Sequence, residues 1–574
     1  MLKIHNMGTL TVWVRGQGKV TLSEDHDYVA DGGEGRIFAQ GKVIYKIYLD
    51  PARMIPEAKL AELALLDHPQ IVRPKDILLD AKNAVIGFTM DRVDGLELCR
   101  LFNTVFLQAN SVAPDMLLKL VERMQEITQF IHDKGCLIVD GNELNYLVAQ
   151  GDYALPYFID VNSYQTPNFP ASAINILFQD PHAKIFSRLT DWYTFGIVAC
   201  KIFVGVHPFK GTHPNYGKGD VLERMKANVS IFNAETRLPA AARDFSYIPS
   251  AYRDWFVRLF EKGERVPPPY VAGLLKVAQV KIDLAQSTGN FLIHLARAYD
   301  SDILRHASVS GKHLVITRQQ AYVGQTPYKM PGGGDVVLSP KSLTPLFAQI
   351  RKPDDLLIIS DMAGHALDLQ INANRGYLII ENAIYAVHNG DLTEIALHEI
   401  NHRSVASVAN VWKIMPQSSK VCDGLIFQTV LGKSHVVIPY HLNGKSYCAM
   451  RAIPELDAYR VITAKHDLRV CMMIGVKDHQ YHRMILRFSE NYEEYDARVI
   501  EDIEYADINF VTLASGIAVS IDEHGAVEIF SNRPHSGTVR RIEDPAIRQD
   551  MRLSKEGASA LFYRGNSLYS LKMV

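Results

Sequence analysis

The chain has 574 residues, more than one hydrophobic core holds, so two or three domains are expected. Its 47% apolar and 22% charged residues are those of an ordinary globular protein, and a formal net charge of −2 gives no case for a nucleic-acid or anionic-membrane partner. The six cysteines are scattered and form no CxxC pair, which excludes a zinc-ribbon or disulfide-framework reading and fits a reducing compartment.

The N-terminus, MLKIHNMGTLTVWVRGQGKV, has no long apolar stretch, so no signal peptide is read and a cytoplasmic location is expected. Up to about residue 50 the pattern is strand-like: TLTVWV, KVTLS, RIFAQ and KVIYKIYL alternate or run β-branched, with glycine-containing turns between them. Helical spacing follows. PEAKLAELALL and DMLLKLVERMQEITQFIHDKG carry apolar residues at i, i+3, i+4 and i+7, and Gly135 stops the second. The segment CLIVDGNELNYLV then predicts two short strands around a sharp turn that carries Asp140 and Asn145. The apolar run WYTFGIVACKIFVGVHPF, residues 192–209, is broken by Lys201 and ended by Pro208, so it reads as a buried helix and not a membrane span. VLERMKANVSIF, AYRDWFVRLFEKG and YVAGLLKVAQVKIDLA predict further helices.

After about residue 285 the helical period disappears, and apolar runs come in pairs around tight turns. Asn389-Gly390 in NAIYAVHNGDLTEIAL is a strong hairpin signal. Such hairpins recur about 40 to 47 residues apart, near the period of β-propeller blades. Six or seven blades are therefore expected over residues 286–574, with a β-sandwich or paired barrels as the alternative reading and no WD or kelch signature at the turns. The final SLYSLKMV is expected to complete a blade with a strand near residue 290, such as NFLIHLARA.

Several stretches of the first half carry chemistry when taken together. VADGGEGRIF is a glycine-rich hairpin whose backbone can approach a polyphosphate. Lys46 lies in the middle of the apolar strand VIYKIY, where a lysine is costly without an anionic partner. A helix then carries Glu57 and Glu62, IGFTMDRVDG ends a strand, and VDGNELN, YFIDVNSYQ and DWYTFG follow. In this order the stretches resemble a protein kinase catalytic domain over about residues 20–285, and are similar in particular to divergent bacterial and phage serine/threonine-type kinases.

The resemblance implies a bilobal α+β domain over residues 1–285, with a small β-rich lobe over about 1–92 and a helical lobe over about 93–285. It implies ATP and Mg²⁺ as cofactors and transfer of the γ-phosphoryl to a protein serine or threonine hydroxyl. Gly32, Gly33 and Gly35 match the loop over the phosphates, with Ala30 in place of its first glycine. Lys46 matches the lysine on the α- and β-phosphates, with Glu57 as first and Glu62 as second choice of helix partner. Met90 matches the residue guarding the back of the nucleotide pocket, and Asp91 and Val93 the backbone that holds adenine. Asp140 matches the catalytic base, Asn145 and Asp160 the metal ligands, and Asp191 the brace of the catalytic loop.

Four departures from the family pattern bear on activity. Ile138-Val139 replace a His-Arg pair, Asn142 replaces a lysine, Val161-Asn162 replace Phe-Gly, and FPASAI lacks the glutamate expected to pair with Arg265. They leave open a pseudokinase or nucleotide-binding scaffold as the second function, while the intact Lys46, Asp140, Asn145 and Asp160 favour an active enzyme. The β-rich second half is expected to dock a protein substrate or partner. HEINH, residues 398–402, spaces two histidines as a zinc helix does but has strand-like flanks, so it reads as a loop. No G-x-S-x-G elbow and no complete Walker-type phosphate loop occurs.

Overall fold

The computed structural model describes residues 8–31, 34–171, 175–217, 219–269, 289–330, 334–401, 403–503 and 507–573. The helix expected from YVAGLLKVAQVKIDLA, and the domain boundary expected near residue 285, lie outside the described residues.

The first half opens on strands β1 (Thr9–Val14), β2 (Gly18–Ser23), β3 (Tyr28–Asp31), β4 (Gly35–Gln40) and β5 (Val43–Tyr48). Helix α1 (Glu57–Leu63) follows, then β6 (Ile77–Leu79) and β7 (Val85–Asp91). The strands form one antiparallel sheet in the order β2-β1-β6-β7-β5-β4-β3. Alternation sorts its two faces. Val12, Val14, Leu22, Phe38, Tyr45 and Leu78 gather on one. Lys46 and Tyr48 share the other, where Tyr48 meets Phe88 edge-on at 6.1 Å.

Past the linker at Arg92–Asp94 come β8 (Gly95–Glu97), α2 (Thr104–Ala109), α3 (Pro114–Asp133), β9 (Tyr146–Ala149) and β10 (Pro156–Phe158). Helices α4 (Arg188–Val204), α5 (Val221–Ala227) and α6 (Ser250–Phe260) follow in this lobe. Leu117, Leu120, Val121, Met124, Ile127 and Ile131 give α3 a buried stripe at helical spacing. Helix α4 is buried from Thr190 to Val204, as expected of the apolar run. A Ser187–Thr190 capping box starts it, and Gly205, at φ 90°, ends it. No helix among the described residues is long and apolar enough to cross a membrane.

The described residues of the first half thus divide into a sheet-rich part and a helical part, and those of the second half are mainly β. Among its described residues the second half contains seven four-stranded antiparallel sheets. Six are meanders of consecutive strands, spanning residues 303–329, 335–372, 376–413, 419–452, 460–503 and 510–542. The seventh joins strands over 552–573 to Phe291–Ala298, with Phe291 opposite Met573 and Leu292 opposite Lys572. The last strand does pair with NFLIHLARA.

HEINH is corrected by the structure. His398 and Glu399 lie in the strand Asp391–Ile400, not in a loop, and His402 is outside the described residues. The His398 ring bonds the Ser407 hydroxyl at 3.0 Å across the hairpin. The alternation of this long hairpin is blurred because both of its faces are partly exposed near the tip, which hid the strand.

The halves are packed together. The largest apolar cluster runs from Tyr48 and Phe88 through α3, α4 and α6, and continues into Ile462, Met472, Ile474 and Phe510 of the second half.

Candidate active site

The site begins with a cation that the apolar strand β5 carries into the space between the lobes. Lys46 is 7% exposed. Its stem lies beside Tyr48 and Phe88, with Nζ 5.5 and 5.8 Å from the ring centres. The ammonium reaches Glu34 Oε2 at 3.5 Å, Asp160 Oδ1 at 3.5 Å and Asn162 Oδ1 at 3.4 Å. Two carboxylates and an amide oxygen thus offset the cost of burying it. Glycine is required on both strands beside Lys46. A Cβ at Gly35 would meet Ile47 O at 2.4 Å, and one at Gly87 would meet Lys46 O at 2.0 Å.

The loop expected to carry the catalytic base follows α3. Leu137 pairs with Gln165 through their backbones, and Val139 then turns into the left-handed region at φ 61°. A β-branched residue is strained there. Asp191, at the start of α4, holds the turn. Its carboxylate accepts from Ile138 N at 2.8 Å and Val139 N at 3.0 Å, and also meets His132 Nε2 at 2.9 Å. The bracing role expected of Asp191 is what the geometry provides. Asp140 comes next, 6% exposed. Asn145 donates from Nδ2 to Asp140 O at 2.8 Å and to Asp140 Oδ2 at 3.4 Å. Asp140 Oδ1 has no partner among the described residues. Asn142 is turned inward, accepting from Leu144 N at 2.9 Å.

The hairpin β9–β10 explains why Asn145 and Asp160 belong together. Tyr146 lies opposite Phe158, and the Ile159 N–H donates to Asn145 O at 3.0 Å. The loop's last residue therefore sits across from the residue before Asp160. Asp160 is left-handed, φ 58° and ψ 31°, with Ser163 N and Oγ bonding its carbonyl at 3.0 and 2.8 Å. Burial pushes its carboxyl above the ordinary aspartate range; Lys46 opposes this, while Glu34 and Asp140 add to it. A carboxylate near two others gains by holding a cation.

The structure thus brings Lys46, Asp140, Asn145 and Asp160 to one place, and it moves other expected residues. Glu57 is not the partner of Lys46. It is exposed and takes 2.6 and 2.9 Å bonds from Arg15. Glu62 is not the partner either, because it accepts from Asn168 Nδ2 at 2.6 Å. Glu57 is on the exposed side of α1 and Glu62, half-buried, is turned to Asn168, while the helix buries Lys59, Leu60 and Leu63. The carboxylate that Lys46 meets from its own lobe is Glu34. Its signal was a lone acid inside the GGEG hairpin, one strand away from a buried lysine. Gly32 and Gly33 lie outside the described residues.

Met90 packs partly buried against the central apolar cluster, opposite Ile44. Asp91 is exposed and bonds Lys75 at 2.7 Å, and Val93 lies half-buried in the linker between lobes. Arg265 is not unpaired. It grips Asp180 through two nitrogens, one at 2.6 Å, and stacks on Tyr193 at 4.6 Å. Asp180 thus does for Arg265 what the glutamate missing from FPASAI would do. Its position six residues past that motif hid it.

No protein-family model matches the chain, and no curated protein matches it. Among solved structures, the chain is similar to the Cydia pomonella granulovirus kinase PK-1, at 14% identity and TM-score 0.31, over 41% of this chain and 85% of that one. It is also similar to a twitchin kinase fragment from C. elegans, described as autoregulated protein kinase and immunoglobulin domains. That likeness has 14% identity and TM-score 0.32, over 41% of this chain and about half (52%) of the fragment. Neither likeness carries the functional reading, which stands on the geometry around Lys46 and Asp140.

Proposed function

We propose that the protein is an ATP-dependent protein kinase that moves the γ-phosphoryl of ATP to a serine or threonine hydroxyl. The observation that carries this reading is the convergence of Lys46 from one lobe with the Asp140–Asn145 loop and Asp160 from the other. Lys46 supplies a fixed positive charge for the α- and β-phosphates of the nucleotide. Asp140, with its unpartnered buried oxygen, accepts the proton of the substrate hydroxyl. As the new O–P bond forms, the bond from the γ-phosphorus to its bridging oxygen breaks, and the electron pair leaves with ADP. Gly35, with Gly32 and Gly33, covers the phosphates, and the Asp91–Val93 backbone holds adenine beside Met90.

The residues present fit Mg²⁺. Asp160 and Asn145 offer a carboxylate and an amide oxygen, hard donors of the kind Mg²⁺ takes, and the Asn145 amide nitrogen is already committed to Asp140. No group of three or more His, Cys, Asp or Glu side chains poised for a metal occurs among the described residues. This agrees with an ion that keeps most of its water and phosphate ligands. When bound, Mg²⁺ neutralises charge on the transferring phosphoryl.

We further propose that the second half is a closed seven-bladed β-propeller that docks the protein substrate or a partner. Contacts from sheet to sheet support closure. Arg305 bonds Asp335, Asp335 accepts from Tyr377, and Glu394 accepts from Ser446. Lys420 donates to Val461 O, Arg483 pairs with Glu523, and Asn509 donates to Met551 O. His306 of the first sheet meets Ser554 of the seventh at 2.8 Å.

One observation favours a nucleotide-binding scaffold instead: α1 lends Lys46 no carboxylate. Incubation with ATP labelled at the γ-phosphate separates the readings. A kinase transfers label in Mg²⁺, and Asp140→Ala and Asp160→Ala do not. Wild-type protein that binds ATP and transfers nothing is the scaffold.

A further inference from the structure

The catalytic loop is held from outside its own lobe. Glu143, between Asp140 and Asn145, is 4% exposed and pairs with Lys201 of α4 at 2.5 Å. A buried pair of this kind is stable only when its remaining hydrogen-bond capacity is met. Part of it is met from the second half, where Tyr481 donates its hydroxyl to the same Glu143 oxygen at 2.8 Å. The Tyr481 ring also covers the Lys201 ammonium, with its centre 5.7 Å from Nζ. One residue on, Leu144 O accepts from Arg460 of the second half at 3.2 Å. The next residue is Asn145.

The same half also reaches the other lobe and the link between them. Gly432 N donates to the Tyr28 hydroxyl on β3, the strand that leads into the glycine hairpin, at 3.1 Å. Lys420 pairs at 2.6 Å with Glu97, just past the linker. Arg100 donates to Ile462 O at 3.4 Å. The second half is therefore bonded to both lobes, and its strands at Arg460–Asp467 and Gln480–Phe488 lie against Glu143 and Leu144, two of the four residues between Asp140 and Asn145.

We propose that the second half is a working part of the active site, with Tyr481 and Arg460 as positioning residues that fix the Asp140–Asn145 loop; this rests on the phosphotransferase reading. A loop with a strained left-handed Val139 has other backbone conformations open to it, and bonds at Glu143 and Leu144 remove them. Misplacing a reacting group by about 1 Å can cost about 10²-fold in rate.

The test uses the full chain with Tyr481→Phe, which keeps the ring and removes the hydroxyl. Turnover is expected to fall about 10- to 100-fold with KM for ATP unchanged, because the loop and not the nucleotide pocket is loosened. Amide hydrogen exchange over residues 138–146 is expected to rise about tenfold, since the loop opens more often. Arg460→Ala is expected to act the same way, with Arg460→Lys restoring part of the loss. Tyr447→Phe, on an exposed tyrosine stacked on Tyr440 in the same half, is expected to change none of these. Unchanged exchange over 138–146 in Tyr481→Phe overturns the proposal whatever the turnover does, and so does wild-type turnover. A wild-type chain that transfers no label ends the phosphotransferase reading, and loop exchange then decides the positioning role by itself.

Discussion

At the scale of single residues, the site is a set of costly choices that support one another. Val139 takes a left-handed backbone that costs about 1–3 kcal/mol, and its N–H is committed to Asp191. Asp191→Ala would strand the buried N–H groups of Ile138 and Val139, so unfolding by denaturant is expected to show a loss of about 2–5 kcal/mol. A loss under 1 kcal/mol would show that the loop holds without its brace. Lys46 is buried among Glu34, Asp160 and Asn162. ATP with Mg²⁺ is expected to raise the melting temperature of the wild type, as a ligand of the native state does, and to do so far less in Lys46→Ala. An equal rise in both would remove Lys46 from the nucleotide site. These residues were legible because each sits inside a local pattern: a lysine in a strand, two polar residues on one turn. The partner of Lys46 was not, since α1 offers two glutamates at plausible spacing and only packing shows that each is held by another residue, Glu57 by Arg15 and Glu62 by Asn168.

At the scale of elements, the β9–β10 hairpin does for the site what no single residue can. It converts 15 positions of separation between Asn145 and Asp160 into adjacency across a ladder. The sequence predicts a strand on each side of the Asp140–Asn145 turn; the structure keeps the second as β9, while on the first side Leu137 makes only an isolated bridge to Gln165. The strands of the second half carry a different load. His306 and His466 are buried neutral. Burial, then the neighbouring His313, lowers His306 to about 3. Burial lowers His466 to about 4, with Asp467 and the Gly424 backbone opposing and Lys555 assisting. A histidine with a depressed folded pKa contributes stability above its unfolded value, 6.5, and loses it as the pH falls toward the folded value. The chain is therefore expected to lose up to about 1.4 kcal/mol per histidine for each pH unit below 6.5. The measurement is the denaturation midpoint between pH 7 and pH 4.5, compared with that of His306→Phe. Equal slopes in the two proteins would discharge His306 from the effect.

At the scale of the whole molecule, the recurring hairpins led to an expectation of six or seven four-stranded units before any contact was known, because turn chemistry is local, and seven such sheets stand among the described residues. The docking of the second half on the catalytic loop was not legible, since nothing in the sequence near Glu143 points to a tyrosine 338 residues away. The strands Phe291–Ala298 and Ser567–Met573 pair in the last sheet, with Leu568 and Leu571 buried under it. Removing residues 566–574 would leave the strand Phe291–Ala298 unpaired and delete both leucines. That should lower stability by about 4–10 kcal/mol, at about 2–5 for each large side chain. Because one apolar cluster spans both halves, the first half is expected to lose stability with the second. A first-half transition left where it was would separate the halves energetically. Asp140 is proposed as the base of a phosphoryl transfer carried out in this cleft. The most direct test takes Asp140→Asn and measures two things on the same protein: the melting rise with ATP and Mg²⁺, and transfer of the labelled γ-phosphate. A rise like that of the wild type and a transfer rate lower by about 10²–10⁴-fold are expected. Transfer at the wild-type rate would contradict the proposal.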